Sequence, residues 1–388
     1  MVEQAIGKRN KGTLQHRRDI YHPLKEDGPV QYEEIQARSI LNRVKAMMPM
    51  SWTINPYRGC RHACVYCYAR PTHTYYGLNA GSDFHTRIFV KVNAPDLLRK
   101  ELSRPSWKGE AICLGSATDP YQPAEKRYHL VRNLLEVLCE YANPLDIITK
   151  SNLVVDDLDL LVELNRRTGG RVAVNMSLTT IDAQKARLID PGAPSPQKRL
   201  EAIARLSAAG IKTRLFIMPV LPGITDDPEE LEKLVKAGAE AGAHRVSADT
   251  IRIARGLEDY YFSFIEANFP ELFPRYMRLF ERGRRTMVSE AYKEALRKKM
   301  AELRARYKVE DNGDRRSISV EDQRRLAQLN QVYDQPGKFQ AALDIAESGL
   351  EFRGSSKRSL SEPAANLPLI VRPATPQDLR QTSFNLFE

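Results

Sequence analysis

Cysteine is scarce in this sequence, with five in 388 residues. Three of them, Cys60, Cys64 and Cys67, fall within eight positions, whereas Cys113 and Cys139 lie apart in apolar stretches. An odd number of cysteines, most of them in one short segment, is a poor basis for a disulfide framework. It favours a metal centre in a reducing compartment, so we expect a cytoplasmic protein.

Long apolar runs are also missing. A membrane-spanning helix needs about 20 consecutive apolar residues, and the sequence contains no such run. The first thirteen residues are polar, unlike a secretory signal peptide, so no membrane partner is expected. Neither G-x-G-x-x-G nor a P-loop sequence follows any predicted strand, which disfavours a simple dinucleotide-binding or P-loop fold.

Acidic residues are outnumbered, since 49 Asp and Glu face 59 Lys and Arg, a net charge of +10. Most of the excess lies in residues 275–308, where twelve Arg and Lys accompany four Glu. A basic surface attracts polyanions, which makes nucleic acid a candidate partner. The alternative is that these residues form a solvated helix face, as runs of charged residues usually do.

From residue 51 onward, short β-branched runs alternate with helical patterns. Six strands are predicted, at 51–57, 111–115, 145–149, 172–178, 213–220 and 245–248. Helices are predicted between them near 95–102, 126–141, 156–167, 195–209 and 228–241, the last one capped by Asp227. Repeated strand–helix units imply an α/β fold with a parallel sheet and right-handed crossovers. Both an incomplete barrel and an open doubly wound sheet remain consistent with the pattern.

The flanking segments differ in composition from this central region. We predict an N-terminal arm with one amphipathic helix (33–48) in residues 1–50, and an α/β domain in residues 51–260. A basic helical extension is predicted in residues 261–310. A mostly disordered tail, rich in Ser, Pro, Arg and Gln, is predicted in residues 311–388.

The cysteine triad, C-x3-C-x2-C at 60–67, follows the first strand of the repeat. In a parallel sheet or barrel, functional sites form at that end of the strands. Three thiolates can hold an iron–sulfur cluster and leave one iron of a four-iron cluster open. The alternative is a structural zinc site, with His62, His73 or His85 as the fourth ligand.

This segment resembles the signature of radical S-adenosylmethionine enzymes, in which an aromatic residue (here Tyr66) precedes the third cysteine. The wider segment is similar to spore photoproduct lyase and its uncharacterised bacterial relatives, over roughly residues 50–260. The resemblance implies a partial (β/α)6 barrel. It also implies a [4Fe–4S] cluster held by the triad, reductive cleavage of S-adenosyl-L-methionine to a 5′-deoxyadenosyl radical, and an external electron donor of the flavodoxin or ferredoxin type.

The resemblance also assigns residues to the cofactor. Tyr66 and Thr118 take contacting positions, the latter in the loop that binds the amine. Lys150 is similar to the lysine that reaches the carboxylate. Ser177 is similar to the serine near the carboxylate and ribose, and Met218 is placed against the adenine. All but Tyr66 are expected at the C-terminal ends of strands, which favours one common site.

Two residues are expected to take part in hydrogen transfer. Tyr68 matches a tyrosine that follows the third cysteine in the lyase, whereas Ser116 stands where the lyase has a catalytic cysteine. A serine O–H is much harder to cleave homolytically than a thiol S–H, so this departure argues against thymine-dimer repair. Cys113, three positions before Ser116, is expected on the opposite face of a regular strand, in the core.

Three functions are consistent with the sequence. The first is a radical enzyme acting on nucleic acid, in the manner of a DNA-lesion lyase; the second is one modifying a peptide or small metabolite; the third is a non-enzymatic zinc or iron–sulfur interaction module. The C-terminal segment 383–387 resembles the short peptide that docks on the bacterial DNA sliding clamp, with Phe384, Leu386 and Phe387 as its apolar anchors. Clamp docking is therefore a hypothesis for the tail.

Overall fold

The computed structural model describes Tyr21 and residues 23–24, 28–44, 50–281 and 286–310. The whole predicted tail, residues 311–388, including the clamp-like segment, lies outside these residues. None of the described helices is long and apolar enough to cross a lipid bilayer.

The centre of the molecule is a sheet of seven strands. Ten strands are described in all: β1 Gln31–Ile35, β2 Leu41–Arg43, β3 Trp52–Ile54, β4 Tyr57–Arg58, β5 Arg87–Lys91, β6 Ile112–Leu114, β7 Leu145–Thr149, β8 Val172–Ser177, β9 Lys212–Val220 and β10 Arg245–Thr250. The large sheet has the order β10-β9-β8-β7-β6-β3-β2, with β2 antiparallel and the other six strands parallel.

The six parallel strands follow one another in chain order. An open doubly wound sheet reverses its order at a switch point, and this run does not, so the strand order is that of a barrel wound in one direction. In the described part of the chain, β3 and β10 do not pair with each other. The barrel is therefore partial, as the family resemblance implied.

Helices connect these strands and cover the outer face of the sheet. They are α1 Asp83–Thr86, α2 Ala94–Leu102, α3 Glu125–Tyr128, α4 Leu130–Glu140, α5 Leu158–Arg167, α6 Ala183–Ile189, α7 Pro196–Ala208, α8 Pro228–Glu240, α9 Glu258–Asn268, α10 Phe273–Leu279 and α11 Glu290–Tyr307. The Asp227 carboxylate accepts from the N–H groups of Glu229 and Glu230, which confirms the predicted cap of α8. The described residues also include two 3-10 helices, Arg70–Tyr76 and Asn152–Asp157.

Side chains alternate between the two faces of the parallel strands. The main apolar core contains Ile147, Val174, Leu215 and Val246, which pack between the sheet and its helices. The residue just before or after each of these on its strand faces the barrel interior, because successive side chains of a strand point to opposite faces. The interior face carries both polar and apolar side chains, in contrast to the outer one.

The predicted helix over 33–48 is wrong for the part of it that the structure describes. Residues 31–35 form β1 and residues 41–43 form β2, while 45–49 lie outside the described residues. β1 pairs in parallel with β5, and β5 pairs with β4 in a separate three-stranded sheet. Neither β5 nor this small sheet was predicted.

Tertiary hydrogen bonds explain why this amphipathic segment is extended. The buried Glu101 carboxylate of α2 accepts from the backbone N–H groups of Ile40 (3.2 Å) and Leu41 (2.8 Å). The Asn93 side-chain amide both donates to the carbonyl of Ala37 and accepts from its N–H, each at 2.9 Å. These partners satisfy backbone groups that a helix would otherwise pair, so they outweigh the weak helical periodicity.

We expect Glu101→Ala to lower the free energy of unfolding by about 2 kcal/mol, because it leaves two backbone N–H groups without their charged acceptor. The matched control is Glu140→Ala, which removes an exposed carboxylate paired with Arg99 and should cost less than about 1 kcal/mol. Urea unfolding measures both, and amide hydrogen exchange at Ile40 and Leu41 should speed up in the first variant alone. Equal losses in the two variants would contradict this account of β2.

Candidate active site

The cysteine loop lies at the C-terminal edge of the barrel strands, between β4 and the 3-10 helix Arg70–Tyr76. Cys60 and Cys64 are buried and Cys67 is half-buried. Successive turns shape the loop: the Ala63 N–H donates to the Cys60 carbonyl (3.2 Å) and the Cys67 N–H donates to the Cys64 carbonyl (3.3 Å). Ala63 takes a left-handed conformation (φ 56°), which is uncommon for a residue with a side chain. The turns and this left-handed residue therefore define one particular backbone conformation for the loop.

The three thiols lie within electrostatic range of one another. Burial raises the pKa of each, and that of Cys64 goes well above its ordinary value, with the Asp190 carboxylate and the other two cysteines adding to the effect. The N–H groups of His62 and Asp119 favour the Cys60 thiolate, but not enough to offset its burial. Three thiolates at this place need compensating positive charge, which bound metal supplies.

Arg70 ties the cysteine loop to the rest of the fold. Its side chain is fully buried and donates to the carbonyls of Ala63, Cys64, Ala80 and Gly81, at 2.8, 2.9, 3.3 and 2.7 Å respectively. The guanidinium also stacks on the Tyr260 ring of α9, 4.3 Å from its centroid. One side chain thus links the loop, the segment after the 3-10 helix, and α9.

A second anchor comes from the loop after β6. The Thr118 hydroxyl donates to the Gly59 carbonyl at 2.6 Å, and the Gln122 amide donates to the same carbonyl and to Thr118 Oγ1, each at 3.1 Å. The Gln122 carbonyl in turn accepts from the Arg61 N–H at 3.0 Å. The structure therefore places Thr118 beside the cysteine loop, with its hydroxyl engaged in holding that loop.

Asp119 joins three parts of the site. Its carboxylate accepts from the Thr149 hydroxyl (2.7 Å) and from the N–H groups of Lys150 (2.7 Å) and Tyr121 (3.0 Å). His62 Nδ1 lies 3.2 Å from Asp119 Oδ2 without forming a well-aligned hydrogen bond. Burial opposes the charged carboxylate, but His62 and these donors outweigh it and lower the pKa of Asp119. The ends of β6 and β7 are thereby fixed against the cysteine loop.

Asp190, which follows α6, organises a second buried group. It accepts from the Tyr66 hydroxyl (2.5 Å) and from Arg199 Nη1 (3.2 Å), and Lys150 Nζ lies 4.0 Å away. Burial alone would raise the pKa of Asp190, but Lys150 and Arg199 lower it to about 2. The carboxylate is therefore ionised at neutral pH and surrounded by donors.

Lys150 lies at the end of β7, beside the aromatic residue of the cysteine motif. Its ammonium is 5.4 Å from the centroid of the Tyr66 ring, and the Tyr66 hydroxyl also contacts Thr179 Oγ1 at 3.1 Å. Burial disfavours the charged lysine, but Asp190 and Cys64 outweigh it and raise the pKa of Lys150. Lys150 is thus a buried cation within reach of the thiols, at the same edge of the barrel.

Tyr68 and Ser116 are brought together at the mouth of the barrel. Tyr68 is half-exposed and its hydroxyl donates to the Ser116 carbonyl, while the Ser116 hydroxyl accepts from the Asn55 amide at 3.0 Å. Gly115 separates Ser116 from β6 and has a φ of 95°. A Cβ there would lie 2.5 Å from the Ile148 carbonyl, so only glycine fits this turn.

Cys113 is buried, but it does not belong to the helix-facing core. Its neighbours Ile112 and Leu114 are members of that core, so Cys113 faces the barrel interior, and its thiol lies within electrostatic range of Tyr68. Cys113 and Ser116 were expected on opposite faces of one regular strand. Because Gly115 ends β6, Ser116 lies beyond the strand and this alternation does not apply to it. Burial raises the pKa of the Cys113 thiol to about 12.

The remaining two predicted residues lie on neighbouring strands. Ser177 ends β8, is buried, and its carbonyl accepts from Arg199 at 3.1 Å. Met218 lies near the end of β9, half-buried, before the cis-Pro219 peptide bond. Residues 177 and 216 are paired in the parallel ladder, so Met218 is one interior-facing step beyond Ser177.

The three histidines considered as zinc ligands each have another partner. His73 Nε2 contacts the Arg87 carbonyl (3.0 Å), His85 Nδ1 lies 3.3 Å from Arg70, and His62 faces Asp119. Across the described ranges, no three His, Cys, Asp or Glu side chains converge on a position for a single metal ion. A cluster does not demand such convergence, because each thiolate binds a different iron.

Sequence reasoning missed several residues that build this site, namely Asn55, Arg70, Asp119, Gln122, Asp190 and Arg199. Asp119 and Gln122 could have been noticed as polar residues just after a strand. Arg70 and Asp190 gave no such signal, since arginine and aspartate in loops are usually solvated.

The chain matches known proteins over this region. Residues 54–235 match the Radical SAM superfamily. An uncharacterised protein of Mycobacterium tuberculosis (strain ATCC 25618 / H37Rv) is 39% identical over 299 residues, 76% of this chain and 86% of that protein. A radical SAM Nα-GlyT isomerase of Pseudomonas phage M6 is 32% identical over 187 residues, 47% of this chain and 36% of that protein.

Solved structures with a similar fold include the following one. It is spore photoproduct lyase complexed with dinucleoside spore photoproduct, 16% identical, with a TM-score of 0.53 over 71% of this chain and 79% of that one. At this level of identity the likeness concerns the fold alone.

We expect Arg70→Lys to lower the free energy of unfolding by about 3 kcal/mol, because a single ammonium cannot reach four carbonyls and leaves some of them unpaired. The control is Arg167→Lys, an exposed arginine paired with Glu163, for which a loss below about 1 kcal/mol is expected. Denaturant unfolding monitored by circular dichroism gives both values. If Arg70→Lys is no more destabilising than the control, Arg70 does not anchor the loop.

Proposed function

The chain belongs to the radical S-adenosylmethionine superfamily, and from this premise we propose that Cys60, Cys64 and Cys67 bind a [4Fe–4S] cluster at which S-adenosyl-L-methionine is reductively cleaved. The observation that carries the proposal is one arrangement: three electrostatically coupled thiols beside a buried lysine, at the C-terminal edge of a partial barrel. A non-enzymatic metal module would have no need of the buried Lys150 cation at that edge.

The donor set fits such a cluster. Thiolates are its usual ligands, three are close together here, and backbone N–H groups favour the ionised forms of Cys60 and Cys67. Because burial raises the pKa of each thiol, loading should release protons. When bound, the cluster and the cofactor would supply an electron and a 5′-deoxyadenosyl radical that abstracts a hydrogen atom.

Lys150 would bind the cofactor's carboxylate. Its ammonium is held charged by Asp190 at a distance of 4.0 Å, which is loose enough for a second carboxylate to compete. Tyr66 would flank the cofactor, oriented through its 2.5 Å hydrogen bond to Asp190. Asp190 is then a positioning residue that fixes both an aromatic ring and a cation.

Thr118, Ser177 and Met218 would complete the cofactor site. The Thr118 hydroxyl already donates its hydrogen to Gly59. Its oxygen would therefore accept a hydrogen bond from the cofactor's amine. The Ser177 hydroxyl is placed for the carboxylate or ribose, and Met218 supplies a flexible apolar side chain for the adenine. All three lie on or just after strands of one sheet, namely β6, β8 and β9.

Tyr68 and Ser116 would act on the substrate side. The Tyr68 hydroxyl is hydrogen-bonded to Ser116, and Tyr68 is half-exposed at the barrel mouth. A tyrosine at that place can give or accept a hydrogen atom, whereas the Ser116 hydroxyl is held by Asn55 and would position substrate. We expect the reaction to differ from that of the lyase.

For the substrate, we propose nucleic acid ahead of a peptide or small metabolite. The proposal is supported by the phage relative, named as an isomerase of Nα-GlyT. The basic helix α11 adds less support than its composition suggests, because Lys293, Arg297 and Arg306 are paired with glutamates. An external electron donor would supply the reducing equivalent.

Cys64→Ala should abolish the site. After anaerobic reconstitution, the wild-type protein is expected to carry about four irons and, once reduced with dithionite, to form 5′-deoxyadenosine. The variant should lose both properties, because one ligand of three is missing. Cys139→Ala, a buried cysteine on α4, is the matched control and should keep them. Full cleavage activity in Cys64→Ala would refute the cluster assignment.

Lys150→Ala should weaken S-adenosylmethionine binding roughly 10- to 100-fold, since a charge-assisted hydrogen bond contributes about 1.5–3 kcal/mol. Isothermal titration calorimetry on the anaerobic protein measures the dissociation constant. Lys236→Ala, an exposed lysine of α8 near Glu240, serves as the control. An unchanged dissociation constant in Lys150→Ala would show that the lysine does not bind the cofactor.

A further inference from the structure

An arginine lies in the barrel interior, on the N-terminal half of β9. Arg214 Nη1 donates to Asp146 Oδ1 on β7 at 2.8 Å and to Asn175 Oδ1 on β8 at 3.3 Å. These three residues alternate along their strands with Leu215, Ile147 and Val174 of the outer core, so they share the interior face. One nitrogen of the Arg214 guanidinium therefore links β9 to both β7 and β8.

The other edge of this guanidinium has no partner among the described residues. Arg214 Nε is buried and makes no hydrogen bond, and the recorded bonds of the side chain all involve Nη1. Nε and Nη2 together form the planar fork that matches a carboxylate or a phosphate. A buried donor without an acceptor is costly, and a bound anion would remove that cost.

A second unpartnered donor lies on the neighbouring strand. Ser247 of β10 is 4% exposed and its hydroxyl has no hydrogen-bond partner in the described structure. It lies opposite Phe216 in the ladder, two residues beyond the position opposite Arg214. Val246, next to it, belongs to the outer core, so the Ser247 hydroxyl faces the same interior as Arg214.

Two further basic residues lie near Arg214. Lys212 precedes it by two residues on the same strand face, and Arg245, its partner in the ladder, is paired with Glu310 at 3.1 Å. Burial and the Arg214 charge together lower the pKa of the nearby His244 to about 4, the direction expected beside a positive group. The Arg214 and Asp146 side chains are 20% and 39% exposed, which leaves them open to a ligand.

The distance to the cofactor residues suits a substrate. Arg214 and Met218 are four residues apart on one strand, or about 13 Å at a rise of about 3.3 Å per residue. A molecule bound at Arg214 could extend toward the barrel mouth, where Tyr68 and the predicted cofactor residues lie.

We propose that Arg214, with Ser247, binds a carboxylate or phosphate group of the substrate within the barrel, with Asp146 and Asn175 as positioning residues. This inference rests on the proposed function for the reaction that follows, but the binding itself does not require that chemistry. The competing explanation, a purely structural ion pair between β7 and β9, does not account for the unused fork or for the unpartnered Ser247.

The test is calorimetry on the full-length, anaerobically reconstituted protein. The probes are sodium phosphate, sodium acetate, thymidine 5′-monophosphate and, as the uncharged comparison, thymidine. Arg214→Lys keeps the charge but loses the fork, and should weaken anion binding about tenfold or more. Ser247→Ala should weaken it by a smaller factor. The control, Arg167→Lys on the outer face of α5, should bind like the wild type.

Phosphate binding without acetate binding, lost in Arg214→Lys, would identify a phosphate-bearing substrate; the reverse preference would identify a carboxylate. Equal affinity in the wild type and Arg214→Lys, or no binding of any anion at millimolar concentration, would overturn the inference. Formation of 5′-deoxyadenosine by the wild type is measured on the same preparation. Cleavage without anion binding would contradict this inference alone, whereas anion binding without cleavage would contradict the proposed function alone.

Discussion

The buried guanidinium of Arg70 is the contact on which the cysteine loop depends. A loop that carries three thiols has few apolar side chains of its own, and its backbone carbonyls must find donors away from water. Arg70 supplies donors for two of them, and for two more carbonyls in the segment after the 3-10 helix, and its guanidinium stacks on the Tyr260 ring. Tyr260 belongs to a second apolar cluster that also contains Cys64, Val65 and Tyr66. The loop is therefore held both by hydrogen bonds to its backbone and by apolar packing of its side chains.

Two buried carboxylates complete this support from the barrel side. Asp119 holds the end of β7 through a hydroxyl and a backbone N–H, and Asp190 holds Tyr66 and Arg199. Both remain ionised because nearby donors and cations outweigh the effect of burial. Lys150 lies between them, so the same charges that stabilise the fold hold a cation beside the thiols. Structural and binding roles are thus shared by one network.

The barrel has two chemically different faces. Its outer face is packed with aliphatic side chains under the helices, whereas its interior carries Asp146, Asn175 and Arg214. A closed barrel of this size fills its interior with apolar side chains. The interior of this partial barrel instead carries polar and charged side chains below the predicted cofactor residues, and these are the groups proposed to bind a substrate.

The sequence by itself determined the strand–helix repeat, the position of the cysteine triad and the family. Each of these is a local pattern: β-branched runs, a capped helix at Asp227, and three thiols at fixed spacing. The family resemblance also placed Thr118, Lys150, Ser177 and Met218 near strand ends, where the structure brings them to one edge. Their roles toward the cofactor remain predictions.

Tertiary structure alone decided the rest. Residues 31–35 and 41–43 form strands because Glu101 and Asn93 satisfy the backbone groups of Leu41 and of the connection between the two strands, and Ser116 leaves the alternation of β6 because Gly115 ends that strand with a positive φ. Arg70, Asp190 and Arg214 matter through partners that are distant in sequence, such as Asp146, 68 positions from Arg214. Local patterns fix which element forms, but a buried charge acquires its function from neighbours that only the folded chain brings together.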